Sequence, residues 1–452
     1  MHVKRPNTQL SQYLAEAGWS CAELARHVNE LGREQGTTLS YDRTTVAHWL
    51  RGSRPRPPVP LLVAQALSRR IGRLIHAADT GLLPDEGHET VPDGPVPTVV
   101  EPVELLLELC RTETDPARRA GLARAPYHLL DPSPLRWPRG VAPDGLRIRE
   151  PSALRSANQS DAEMLERVWS MFSDLVERYG AGRLTPVLTA YLEENAVRCL
   201  TETVPPELAC RLRSETAHLT ALVAEMHLDM RRQGVAQLYH HITLSLARSA
   251  DDRTAYAVVL CRMARQALEL RHLEHGLRFA EGAVEAAGTG VPLPVRALVL
   301  SERAVARAAN GDRTGVAADM RGAQSCVLGS DQGHRLVPNP SALLHQQRSR
   351  MHEALGHRSC AISSLQSCLR VRDDKGSRSY VLLQAELARL CLRIGHVEQA
   401  CSYAEAVVDR CDQFASVSVQ HSLSRLRKQL RGLSRHSSAL AVSRRIDAAS
   451  LV

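Results

Sequence analysis

Aromatic side chains are scarce in this chain, 16 among 452 residues. Leucine, alanine and valine must therefore do most of the packing, which suits close-packed helices better than sheets and points to an all-α fold. No apolar run approaches the roughly 18 residues a membrane span requires, and the N-terminus MHVKRPNTQL has no apolar leader core. A cytoplasmic protein is expected. Cysteine is present, eleven times, but without CxxC pairs or metal-ligand His/Cys spacing, and Cys391, Cys401 and Cys411 recur every ten residues, so they do not gather. An odd count in that pattern predicts reduced, mostly buried thiols, with no disulfide framework. Phosphate-cradling Walker A loops, HExxH and GxSxG are all missing. Gly180 to Gly182 is a bare GxG lacking a preceding strand, His240 and His241 are adjacent and face different sides of a helix, and Glu193–Glu194 reads as solvated. No catalytic residue, cofactor or metal is assigned, and an enzyme is not expected.

What is present is positive charge, unevenly placed. The net charge is +8, and residues 1–81 carry 11 Lys/Arg against 6 Asp/Glu. That concentration favours nucleic-acid binding by the N-terminal part. Within it, YDRTTVAHWLRG (Tyr41–Gly52) predicts a short helix: Asp42 is a good N-cap, Val46, Trp49 and Leu50 have core-facing spacing, and Gly52 closes it. Arg43, Thr44, Thr45 and His48 are left to point outward, and Arg51, Arg54 and Arg56 follow in a proline-stiffened segment. This is the make-up of a recognition helix, whose side chains reach base edges while flanking guanidinium groups hold phosphates. Arg43 suits guanine through two parallel hydrogen bonds. Thr44 suits either a base contact or a second-layer cap, and His48 either a phosphate or the helix surface. Around them the pattern predicts helices at Thr8–Ala17 (ended by Gly18), from Ser20 onward through Leu24, Ala25, Val28 and Leu31, and at Pro58–Arg70, in all about five short helices. Gly32–Ser40 reads as a polar turn.

Residues 82–102 contain five prolines, five acids and no Lys or Arg, the composition of a solvated, semi-stiff spacer. Residues 103–151 hold a short amphipathic helix (Val103–Arg111), a second helical stretch (Pro116–Leu130) and a Pro/Gly-rich part. From 152 to 452 the chain reads as helix after helix: Asp161–Tyr179, Leu184–Leu200, Glu207–Met230 and Val235–Ala250, then a loose repeat of about 40 residues from Asp252 onward. Aligning Arg271, Gly311, Gly356 and Gly395 as turns places Ala264, Ala304, Ser349 and Ala388 seven residues before. It places Gly276, Val316, Ala361 and Ala400 five after, and Ala283, Ala323, Cys368 and Val407 twelve after. Modest side chains recur where two helices must cross closely, and Leu298, Leu343 and Leu382 sit further out. The last stretch, Val417–Arg445, has seven Lys/Arg and no acid. It predicts a polar capping helix, an added phosphate contact or a partner for the acidic spacer.

ELARHVNE, DRTTVAHWLRGSRPRP and LVAQALSRRIG resemble the Cro/repressor-type (XRE) helix-turn-helix, in the form carried by actinobacterial regulators, with a longer connection between Ala25 and Trp49. The arginine-for-lysine usage has the same actinobacterial flavour. ALGHRSCAISSLQSCL and RIGHVEQACSYAEAVV resemble tetratricopeptide (TPR) repeats, degenerate and without the consensus Trp and Tyr. The resemblance implies a transcriptional regulator with a helix-turn-helix domain at 1–81, the acidic linker at 82–102, lead-in helices at 103–151 and a TPR-like solenoid at 152–452. It implies double-stranded DNA as partner, homodimerisation through the repeats, and a peptide or small molecule on their concave surface. No membrane or cofactor is implied, and the protein would lie with the nucleoid. The alternative is a TPR interaction adaptor whose helix-turn-helix module docks a protein.

Overall fold

The computed structural model describes residues 6–34, 39–56, 58–71, 75, 77–82, 102–129, 157–202, 204–433 and 436–449. The expected acidic spacer, 82–102, lies outside the described residues from 83 to 101, and the Pro/Gly-rich stretch 131–151 lies outside them throughout. Among those described, the chain is all-α, with a single isolated antiparallel bridge between His334 and Val337. It divides into two compact units, Met1–Asp131 with Arg231–Leu238, and Pro132–Met230 with Tyr239–Val452.

Unit 1 comprises α1 (Thr8–Ala17), α2 (Cys21–Glu34), α3 (Arg43–Leu50), α4 (Val59–Ile71), a 3-10 turn at Ala78–Thr80, α5 (Pro102–Thr114) and α6 (Pro116–Leu122). Local chemistry sets the helix ends. The Asn7 side chain accepts from the Leu10 amide at 2.9 Å to open α1, and Gly18, in the left-handed region, closes it. Ser20 and Glu23 form a reciprocal capping box ahead of α2: Ser20 N donates to Glu23 at 2.7 Å and Glu23 N donates to Ser20 Oγ at 3.3 Å. The bond draws the Glu23 carboxyl below its ordinary range, the Ser20 amide being the main cause. Leu10, Leu24, Val28, Val46, Leu62 and Leu67 are fully buried in one core that runs from Leu10 to Leu82. The segment Arg231–Leu238 joins this unit through Gln237, whose side chain exchanges two hydrogen bonds with the His128 backbone, at 2.8 and 2.7 Å.

Unit 2 opens with α7 (Gln159–Tyr179), then α8 (Thr185–Tyr191), which runs through a π-helical turn (Leu192–Ala196) into α9 (Val197–Thr201). Next come α10 (Pro206–Asp229) and α11 (Gln233–Ser249), the latter contributing its residues beyond Leu238. Five antiparallel pairs follow: α12 (Arg253–Glu269) with α13 (Leu273–Ala287), α14 (Leu293–Ala309) with α15 (Arg313–Leu328), α16 (Pro340–Ala354) with α17 (Arg358–Arg370), α18 (Arg378–Arg393) with α19 (Val397–Val408), and α20 (Val417–Arg431) with α21 (Ser437–Ala449). Successive pairs stack as in a helical repeat, α12 on α14, α14 on α16 and α18 on α20. The turns aligned in the sequence share one conformation. Arg271, Gly311, Gly356 and Gly395 all have positive φ, between 68° and 81°. All twelve residues at the three aligned offsets are buried. Small side chains let the two helices of a pair approach, and Ser349 Oγ donates to the Ala361 carbonyl across one such crossing at 2.8 Å. The C-terminal stretch corrects one expectation. Instead of one polar capping helix it forms a fifth pair, with Val419, Leu423, Leu426, Leu430, Ala439, Val442 and Ile446 buried between its helices. Part of its positive charge is answered locally: Arg427 and Arg431 reach Asp447, and Arg445 reaches Asp409.

The stack of unit 2 returns upon its own beginning. Asp229, buried at the end of α10, accepts from Arg378 Nη1 at 2.8 Å and from Ser416 Oγ at 2.6 Å, and its other oxygen accepts from the Ala181 amide at 3.3 Å. Arg378 also reaches Glu177 of α7 at 3.1 Å. The glycines of the bare GxG serve here. The Ala415 amide donates to the Tyr179 carbonyl at 2.7 Å, the Gly182 amide to the Ala415 carbonyl at 2.9 Å, and a Cβ on Gly180 would lie 2.8 Å from the Ala415 backbone. Only glycine permits that approach.

Two outcomes test this reading of the repeats. A Cβ on Gly356 or Gly395 meets nothing within 4 Å, so Gly356→Ala or Gly395→Ala bears only the left-handed backbone and should lose about 1 kcal/mol, whereas Arg271→Gly should hold or gain stability in denaturant melts. Asp252 caps α12 through the Ala255 amide at 2.8 Å and accepts from Ser214 Oγ. Burial pushes its carboxyl up, but His218 and these bonds outweigh burial and hold it at about 2. A depressed carboxylate stabilises above its unfolded pKa and loses that contribution as pH falls through its folded value. Asp252→Asn should therefore cost about 2 kcal/mol at pH 7 and flatten the acid unfolding curve between about pH 4 and 2.

Candidate nucleic-acid interface

The site is built on α3, eight residues and about 12 Å long. Asp42 stands in extended conformation and its Oδ1 accepts both the Thr45 amide (2.8 Å) and the Thr45 hydroxyl (2.7 Å). The Thr45 hydroxyl bond, then the amide bond, hold the exposed Asp42 carboxyl below its ordinary range. At 100° per residue, Arg43, Thr44, Ala47, His48 and Arg51 fall within an arc of about 140°. Val46 and Trp49 lie outside that arc and are buried, with Trp49 edge-on to Tyr41 at 5.2 Å between ring centroids.

The sequence-predicted residues thus separate into groups. Arg43, Thr44, His48 and Arg51 are exposed along one edge of α3. Thr45 is half-buried and its hydroxyl is spent on the cap, so it orders the helix start and does not face outward with Thr44. Arg54 and Arg56, beyond the helix, are exposed on the segment leading to α4. Two guanidinium groups and one imidazole on the edge, two more exposed guanidinium groups just beyond it, and Asp42 as the one carboxylate in 42–56 suit a polyanion.

What aims this edge is a residue the sequence did not single out. Asn29 of α2 clamps the backbone just before α3: its Nδ2 donates to the Tyr41 carbonyl at 2.8 Å and its Oδ1 accepts from the Tyr41 amide at 2.9 Å. A side-chain amide mimics a strand edge here and satisfies two backbone groups together. At the other end of α3, the Leu50 carbonyl accepts from the Asn7 amide at 2.8 Å. Both ends of the helix are therefore tied to neighbouring elements of unit 1. The Gly32–Ser40 turn is shorter than expected, because α2 continues to Glu34; residues 35–38 lie outside the described set. A lone Asn at one α2 position carries no pattern that distinguishes a clamp from a solvated side chain.

Burial holds the His241 imidazole down at about 4, and that of the fully buried His240 is likewise lowered, by burial first. Among the described residues no three His, Cys, Asp or Glu side chains are grouped to hold a metal ion, and no helix is long and apolar enough to cross a membrane. None of the eleven cysteines is in a disulfide, and burial raises Cys199 and Cys368 to about 11.

A family model described as the SP15 N-terminal domain matches residues 10–83. That span coincides with the core of unit 1 running from Leu10 to Leu82, and so contains α3 and all seven candidate residues. No curated protein and no solved structure matches the chain.

The clamp makes a definite expectation. Asn29→Ala leaves the Tyr41 amide and carbonyl without their partner and should destabilise unit 1 by about 1–3 kcal/mol. Amide hydrogen exchange should show faster exchange through α3 than through α1 if the side chain positions that helix.

Proposed function

We propose that the chain is a sequence-specific DNA-binding transcriptional regulator, a member of the XRE-like helix-turn-helix class with a TPR-like repeat unit that senses a signal and dimerises. The observation that carries this reading is the exposed edge of α3, where Arg43, Thr44, His48 and Arg51 stand together on a helix whose opposite face is buried. An α-helix presented edge-outward fits the major groove, and arginine is the side chain best suited to guanine there. Arg54 and Arg56 supply phosphate contacts, which position without specifying. A homodimer would bring two copies of α3 to successive major grooves, about 34 Å apart. A signal bound to the repeat unit acts by its different affinity for the DNA-competent and DNA-incompetent arrangements.

The test is retardation of the chain's own promoter fragment across a salt series. A regulator should show a log–log salt slope of several units and at least a hundredfold preference over scrambled DNA. Arg43→Ala should lose about 1–3 kcal/mol on the selected site and relax discrimination at one base pair. Arg56→Ala should weaken all sequences alike and reduce the slope by about one. Weak retention, indifferent to sequence and to both substitutions, would favour the adaptor reading, in which α3 meets a protein.

A further inference from the structure

Unit 2 contains a cleft of about 540 Å³ on the inner helices α10, α12, α14 and α16, within the range of small-molecule sites. We infer that this cleft is a binding site for a small monoanionic amphiphile, with a carboxylate or sulfonate head at its arginine end and an apolar body along the remainder. The inference deepens the sensor reading above and rests on it only for its consequence, not for the site.

Arg262 and Arg265 of α12 and Arg350 of α16 contribute to one end of the wall. Each is held from behind by a carboxylate. Glu302, 2 % exposed, accepts from Arg350 Nη1 at 2.9 Å and from Gln347 Nε2 at 2.6 Å. Glu225 accepts from Arg265 Nη2 at 3.1 Å and lies 3.5 Å from Arg262 Nε. Three guanidinium groups and two carboxylates line this end, and the exposed Glu269, outside the wall, also acts on Arg265, so an anion is drawn by the guanidinium donors and not by a net charge. Each guanidinium has five N–H donors, and these contacts use only one edge of each. Such pre-paid ordering is what a site for a planar oxyanion needs.

Away from the arginines the wall turns apolar through Val258, Leu298 and Leu343, and through Leu336 and Val337. The last two belong to the connection of eleven residues, 329–339, between α15 and α16, which is fastened across the unit. Arg335 donates to Glu215 at 3.0 Å, lies 3.5 Å from Glu166 and covers the Trp169 ring at 5.2 Å from its centroid. Arg350 stands eleven positions beyond the N-cap Asn339, so the cleft extends about 16 Å along α16. At the Asn339 end the wall includes Arg372, paired with Asp374, and the exposed Asp373. That end offers no unbalanced positive charge to a second anionic group. Guanidinium donors at one end and an apolar length behind them define the ligand class.

The test uses the full-length chain and the dye anilinonaphthalene sulfonate, an apolar ring system with one sulfonate. Its fluorescence should rise saturably with one site per chain. Decanoate should displace it, and decyltrimethylammonium, the same apolar body with the opposite charge, should not. Arg262→Gln removes one of the two arginines paired with Glu225 and leaves the Arg265 bond, so the melting temperature should fall while the helical circular-dichroism signal is kept, and dye affinity should fall about tenfold. Leu343→Trp, which fills the apolar wall, should abolish binding. Equal displacement by both amphiphiles, or unchanged binding in the two folded variants, would overturn the site. Decanoate that binds but leaves promoter affinity unaltered would uphold the site and overturn only the sensor reading.

Discussion

A buried carboxylate at the end of one helix governs the second unit. Asp229 is joined to Arg378 and Ser416, residues 149 and 187 positions further along the chain. Helical repeats ordinarily touch only their neighbours, and their stability is close to a sum of local terms. Here the fifth pair and the start of α18 return to α7 and α10, so the sum acquires one long-range closing contact. Removing a partner from such a buried pair is far more costly than its net contribution, because the remaining charge is stranded out of water. Gly180 and Gly182 belong to the same constraint, since they let two backbones meet where any side chain would hold them apart.

That closure has a functional meaning for the inner surface. The arginines of α12 and α16 face a cleft whose far wall is the Arg335 connection, itself tied to α7 and α10 through Glu166, Trp169 and Glu215. α10 takes part in both, carrying Asp229 of the closure and Glu225 of the cleft wall. A molecule that enters the cleft meets a wall already fixed at both ends, which lowers the ordering cost of binding.

Unit 1 achieves its order by other means. Its helix ends are capped by Asn7, Ser20 and Asp42, and its core is filled by leucine, valine and one tryptophan. α3 is too short to persist in isolation. It holds its place because Val46 and Trp49 are buried and because Asn29 binds the backbone ahead of it. An exposed arginine edge is then a by-product of a well-buried opposite face.

Period and punctuation determined much of this protein. The all-α class, the ends of α1 at Thr8 and Ala17, the Asp42 cap and the four repeat turns all follow from spacing and from residues with strong local preferences, and each is seen where the pattern puts it. Those features are local, so a few neighbouring residues suffice to specify them. Arg231 and Asp251 mark the limit, because both adopt the left-handed turn conformation without the glycine that would announce it. The fifth pair was hidden for a related reason. Its arginines dominate the composition of Val417–Arg445, yet its leucines and valines decide the packing. Asn29, the Asp229 closure and the arginine-ended cleft were decided only by tertiary structure. Each joins residues that no periodicity connects, and an Asn, an Asp or an Arg gains its role from what stands opposite it.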